Sequence, residues 1–210
     1  MAILSEQDKK EIKKMLDGNL VNKVTILFFN GNTKECIYCK EIEELLKELE
    51  SLSDKIEVKI YDINSEVAKK YDVKYAPTIL FEQKPNVRYL GIPSGYEFGA
   101  FLEDIIHISK DEVHLKLSTA KIISQINKKV EIKVFVTPTC PYCPKAVHIA
   151  HQFAMLNPNI VAEMIEAIEF EDLANKYEVM AVPKIVINDK VEFEGAVPEE
   201  YFAEQVIKAL

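Results

Sequence analysis

Glu131-Ile132-Lys133-Val134-Phe135-Val136-Thr137-Pro138-Thr139-Cys140-Pro141-Tyr142-Cys143 is the stretch that organises the chain. Its first six residues read as a short, mostly buried strand. Pro138 ends that strand, because proline donates no ladder hydrogen bond and restricts Thr137 to extended angles. From Pro144 to about Leu156 the apolar residues Ala146, Val147, Ile149, Ala150, Phe153 and Ala154 fall on one helical face. Strand, turn and helix together place the two cysteines at a helix N-terminus. Unpaired N–H groups and the helix dipole favour negative charge there. A thiol in such a place has a pKa of roughly 3.5–7.5, against about 8.5 when free, and the thiolate is the nucleophile. Pro141 suits the first helical turn. Cys140 is the expected outer, attacking sulfur, and Cys143 the inner one that resolves a mixed disulfide. A C-x-x-C pair alone also fits a zinc half-site, a structural disulfide or two core thiols; the strand-turn-helix context favours redox chemistry.

The motif has a near-copy, Cys36-Ile37-Tyr38-Cys39, behind a second apolar strand, Val24–Phe29. The order around it is the same. A helix at Ser5–Leu16, capped by Ser5 and closed by Gly18, precedes the strand. The turn Asn30–Glu35 leads into the cysteines. A helix with Ile42, Leu45, Leu46, Leu49 and Leu52 on one stripe follows. Next come a strand at Ile56–Ile60, a short helix capped by Asp62 or Asn64, and Pro77 directly before an apolar strand. A further strand ends near Gly91, and a helix spans about Gly95–Ile108. In the second half a helix is expected at Lys121–Lys129 and a strand at about Val161–Ile168. Cys36 and Cys140 lie 104 positions apart, as do Gly91 and Gly195; Pro77 and Pro183 lie 106 apart. A repeat this long indicates two linked units, 1–113 and 114–210. Between them, the polar stretch Ile108–Ser118 lacks Gly and Pro and reads as a stiff connection.

The 210 residues suffice for two small cores. A formal net charge of −8 argues against a nucleic-acid partner. The N-terminal residues have no apolar signal core, and no stretch approaches the roughly 20 apolar residues that span a bilayer. These features predict a cytoplasmic protein with no membrane partner. All four cysteines belong to the two pairs, unlike the scattered cysteines of a secreted scaffold.

Strand, C-x-x-C and then a Tyr/x/Val…Pro segment about 40 residues on resemble the thioredoxin fold in both halves. Val136–Pro144 and Val179-Met180-Ala181-Val182-Pro183-Lys184-Ile185 most resemble the two-unit protein disulfide oxidoreductases of thermophiles, also called glutaredoxin-like proteins; the first unit matches more loosely. The resemblance implies an α/β protein of two tandem thioredoxin-fold units, each a central mixed β-sheet flanked by helices. It implies cis peptides before Pro77 and Pro183, facing the cysteines. Ala76 and Val182 would then offer backbone groups to an extended client segment. Single-domain thioredoxins carry a buried Asp six positions before the first cysteine. The corresponding residues here are Asn30 and Val134, which do not titrate. Glu166 is the candidate proton relay by strand parity with Ala162, Met164 and Ile168, but an edge-strand carboxylate in water is the favoured reading. His148 and His151, beyond the first turn of the post-motif helix, read as solvated or packing residues.

The expected activity is dithiol–disulfide exchange with protein thiols or disulfides at Cys36/Cys39 and Cys140/Cys143. The redox-active disulfides need no other cofactor, and no metal is expected. Related C-x-x-C proteins span about −270 to −120 mV, so the direction of transfer stays open; the differing Ile-Tyr and Pro-Tyr inserts predict different potentials for the two sites. A second reading is an electron shuttle from a thioredoxin-reductase-like flavoprotein to a peroxidase such as a peroxiredoxin. A third, from another class, is a structural zinc protein with all four cysteines on one ion.

Overall fold

The structure is a computed structural model that describes residues 3–31 and 36–210; part of the turn expected at Asn30–Glu35 lies outside them. The first unit runs α1 (Glu6–Asn19), β1 (Val24–Asn30), α2 (Cys39–Leu52), β2 (Ile56–Asp62), α3 (Glu66–Lys70), β3 (Thr78–Phe81), β4 (Lys84–Leu90) and α4 (Tyr96–Lys110). The second repeats the order as α5 (Leu117–Ser124), β5 (Val130–Val136), α6 (Cys143–Leu156), β6 (Ile160–Glu166), α7 (Glu171–Lys176), β7 (Lys184–Ile187), β8 (Val191–Glu194) and α8 (Glu199–Lys208).

The strands of both units form one eight-stranded sheet in the order β2-β1-β3-β4-β6-β5-β7-β8. The seam is a parallel pairing of β4 with β6, from Val87 opposite Ala162 to Leu90 opposite Ile165. Among the described residues, only β3 and β7 run against the other strands. A single apolar core extends across the seam, from Leu16, Ile42 and Phe101 to Val147, Phe153 and Phe202. Smaller clusters on the other sheet face pack beside α3 and α7. Asn86, on β4, donates to the carbonyls of Ala154 (2.6 Å) and Ile160 (2.8 Å), tying the seam to the end of α6. A continuous sheet and core thus join the units more firmly than the short segment between α4 and α5. Among the described residues, no helix is long and apolar enough to cross a membrane.

Several local expectations are corrected. Gly18 does not close α1: the helix continues to Asn19, and Leu20 at its C-cap is extended and buried. Ser65 caps α3 through the Ala68 N–H, whereas Asp62 accepts from the Asn64 N–H in a turn before it. The helix expected at Lys121–Lys129 begins earlier and ends at Ser124, where Asn157 takes the carbonyls of Ile123 and Ile126 at 2.7 and 2.8 Å. Glu166 is no edge-strand carboxylate in water: β6 lies between β4 and β5, and the residue is buried.

Candidate redox sites on one sheet edge

Because β1 and β5 are parallel, their C-terminal ends open at the same edge of the sheet. The oppositely directed β3 and β7 begin there, directly after Pro77 and Pro183. That edge therefore carries both cysteine motifs and both proline loops. From β1 to β5 is four strand spacings, about 19 Å at about 4.8 Å each. One zinc ion holds its sulfurs about 2.3 Å away, so these two pairs do not form one tetrahedral site. Each pair is closed on itself as a disulfide, with Cα atoms 5.4 Å apart for Cys36–Cys39 and 5.5 Å for Cys140–Cys143.

The inner cysteines, Cys39 and Cys143, are the first residues of α2 and α6. Pro144 falls within the first turn of α6, where a missing N–H leaves no intrahelical bond unmade. Cys140 Sγ accepts the Cys143 N–H at 3.1 Å, an oriented dipole aimed at the sulfur that would carry negative charge. The same sulfur lies 3.7 Å from the Val182 carbonyl oxygen. Cys143 is fully buried and Cys140 slightly less so; in the first pair the inner Cys39 is the more exposed, at 8% against 4% for Cys36.

The Ala76–Pro77 and Val182–Pro183 peptides are both cis. Each proline carbonyl accepts from a glycine at the end of the neighbouring strand, Gly91 N–H at 3.1 Å and Gly195 N–H at 2.8 Å. Ala76 and Val182 are half-buried. Exposed apolar side chains flank both sites: Ile37, Tyr38 and Tyr75 at the first, Tyr142 and Met180 at the second, with Ile168 following β6.

Each site borrows structure from the other unit. Gly95, at φ +59°, lies so close to the Pro138 carbonyl that any Cβ would strike it, and the Tyr96 N–H donates to that carbonyl at 3.1 Å. The start of α4 thus supports the turn before Cys140. In return, Glu169 Oε1 accepts the Ile92 N–H at 2.5 Å, beside the Gly91 that braces Pro77. Glu166 Oε2 accepts the Glu169 N–H at 2.7 Å, and Glu166 shares a small cleft with Tyr38, Ile92 and Pro138. Burial raises the Glu166 carboxyl. It raises Glu169 to about 7, with the Glu166 and Glu41 charges adding to the effect.

Tyr89, Glu97 and Asp104, which the sequence did not single out, form a buried polar cluster with His151 beside α4 and α6. Asp104 Oδ2 accepts from the Tyr89 hydroxyl at 2.5 Å and meets His151 Nδ1 at 2.6 Å. Glu97, in the first turn of α4, is 1% exposed, and both its carboxyl oxygens lack hydrogen-bond partners among the described residues. Burial, followed by the Asp104 charge, raises Glu97 to about 8. A signal existed: Glu97, Phe101, Asp104 and Ile108 follow a 4-3-4 spacing, which puts two acids on an apolar helical stripe. Glu169 lies in a turn and carries no such signal.

Asp104, His107 and His148 have ligand-type atoms within 4.8 Å of one another. Gln152 Oε1 accepts the His114 N–H at 2.6 Å, so its amide nitrogen donates to His107 Nδ1 at 3.0 Å. Neutral His107 then carries its proton on Nε2, and an ion taken at that nitrogen would break this arrangement. His151 is a buried packing residue, while His148 is half-buried.

The thioredoxin-domain family profile matches residues 130–208, within the second unit. A protein disulfide oxidoreductase from Aeropyrum pernix K1 superposes with a TM-score of 0.88 at 34% identity, covering 96% of this chain and 91% of that one. A structure of the alkylhydroperoxide reductase AhpF from Enterococcus faecalis gives 0.86 at 26% identity, covering 97% and 99%. The corresponding Staphylococcus aureus protein is 25% identical over 183 residues, 87% of this chain. The chain spans only 33% of that relative's length.

Proposed function

The chain belongs to the two-unit protein disulfide oxidoreductases, and from that membership we propose that both C-x-x-C pairs exchange dithiols and disulfides with client proteins. The Cys140 thiolate attacks one sulfur of a client disulfide, whose S–S bond breaks and releases the other client sulfur as a thiolate; Cys143 then attacks Cys140 and displaces the second client sulfur as the Cys140–Cys143 bond closes. Cys36 and Cys39 repeat the step at the first site. In the reverse direction the same bonds transfer a disulfide to a reduced client. Ala76, Pro77, Val182 and Pro183 hold an extended client segment against the sulfurs. The units divide at 113/114, in the segment between α4 and α5, and the protein works in the cytoplasm.

One geometric fact supports this most: the Val182 carbonyl before cis Pro183 lies 3.7 Å from Cys140 Sγ, so a strand paired there presents its own sulfur to the attacking one. Dithiothreitol-driven insulin reduction tests it. Cys140→Ser should remove most of the activity and Cys36→Ser a smaller part; full activity in both variants overturns the proposal.

The likeness to AhpF over nearly the whole chain supports a second role. In it, two electrons pass from a flavoprotein reductase to the chain's disulfides and then to a peroxide-reducing partner's disulfide. Peroxide consumption in a mixture of reductase, chain and peroxiredoxin should then require Cys140.

A further inference from the structure

The edge between the two redox sites is not neutral scaffolding. At its middle, where β6 ends beside β4, two carboxyl groups of the second unit lie against Gly91 and Ile92, the segment that braces the first unit's proline loop. Glu166 is 2% exposed, and its Oε1 has no hydrogen-bond partner among the described residues; nor has the buried Oε2 of Glu169. The Glu169 N–H binds Glu166, and Glu169 Oε1 binds the Ile92 N–H. Ile92 follows Gly91, whose N–H holds the Pro77 carbonyl. Gly91 permits the approach: a Cβ there would lie 2.7 Å from both Glu166 Cβ and Glu169 Oε1. Tyr38, between Cys36 and Cys39, lines the same cleft as Glu166. On the outer flank, Phe170 meets Tyr75 edge-on at 6.1 Å.

Given the redox role proposed above, we propose that Glu169, coupled to Glu166, is a positioning residue of the first redox site whose charge sets the acidity of the Cys36–Cys39 thiols. The first unit would then depend on a group that only the second unit supplies. The groups acting on Glu169 are specific. Glu166 at the end of β6 and Glu41 on α2 oppose its ionisation, and the Ile92 N–H favours it. Burial is the largest influence, and it holds the carboxyl to about 7, so its charge changes across neutral pH. Once ionised, it disfavours a thiolate nearby and raises the thiol pKa. Coupled groups titrate in shared steps, so the thiol profile should be broad.

The test is the pH dependence of iodoacetamide alkylation at Cys36 in reduced protein bearing Cys140→Ser and Cys143→Ser, so that only the first site reacts. Glu169→Gln keeps an oxygen for the Ile92 N–H and removes the charge. It should shift the profile to lower pH, sharpen it to one inflection and speed alkylation at pH 7.5 at least about threefold, the ratio of a half-unit pKa change. Glu169→Asp should restore the broad profile. In the reciprocal Cys36→Ser, Cys39→Ser background, Glu169→Gln should leave Cys140 alkylation unchanged. An unmoved Cys36 profile, or equal shifts at both sites, overturns the proposal. If Glu169→Gln melts early by circular dichroism, Glu166→Gln, which removes a charge that opposes Glu169 ionisation, should sharpen the Cys36 profile without the shift to lower pH, and an unmoved profile overturns the proposal. A wild-type Cys36 that titrates like a free thiol while Glu169→Gln still moves it would count against the redox role and not against this coupling.

Discussion

The hairpin β3–β4 and the hairpin β7–β8 hold equivalent places in the two units, yet only one of them is a true edge. β4 has seven residues, buries Val87, Tyr89 and Leu90, and pairs on both sides. β8 has four, and its burial alternates, with Glu192 and Glu194 facing outward. Short length and outward charge keep an edge strand from pairing with another chain. The same contrast separates β6, with five of seven residues buried, from β2, with one. Each unit turns an apolar edge to its partner and a charged edge to solvent. The inner edges are where groups from one unit reach the other's redox site.

Gly91 and Gly195 break this comparison most sharply. They have similar angles, φ +99° and +89°, and both brace a proline loop, but a Cβ at Gly195 meets nothing within 4 Å. Gly195→Ala should cost about 1–2 kcal/mol in urea unfolding, the strain of a left-handed angle. Gly91→Ala should cost about 2–5 kcal/mol, since overpacking at the seam adds about 1–3. Equal losses would mean that the seam yields freely.

An effect of the same order comes from Glu97, for which α8 buries no acidic counterpart. With its ordinary pKa of 4.5 raised to about 8 in the fold, the folded protein binds the extra proton between those values. Its contribution is therefore a loss of stability that grows as pH rises from 4.5 to 8, by about 1.4 kcal/mol per unit. Glu97→Gln should remove that slope, matching wild type near pH 4.5 and exceeding it by a few kcal/mol at pH 8. A constant difference across the range would contradict it.

The smallest effect is at the leading helices. Ser5 forms a reciprocal cap with Asp8 on α1, whereas Lys116 gives α5 no side-chain cap bond. Ser5→Ala should cost about 1 kcal/mol, and Lys116→Ala should show no capping loss in thermal unfolding.

The strands before each cysteine pair and the helices after them were legible because their signals lie within a few residues. Apolar runs, a proline stop and a helical stripe specify them locally. Helix ends were less legible. The end of α5 depends on Asn157, and Leu20 at the end of α1 is buried in the core. Glu166 was found by strand parity, but its solvation was misjudged, because parity does not tell an edge strand from one paired on both sides.

By itself the sequence determined two copies of one redox architecture, since each copy is encoded by local period and by the chemistry of cysteine and proline. Only the tertiary structure decided that the copies share a sheet, that both motifs open on one edge, and that Glu97, Glu166 and Glu169 lie out of water. Those outcomes depend on which edges pair across about 75 residues, as Val87 does with Ala162, and no local pattern encodes that choice.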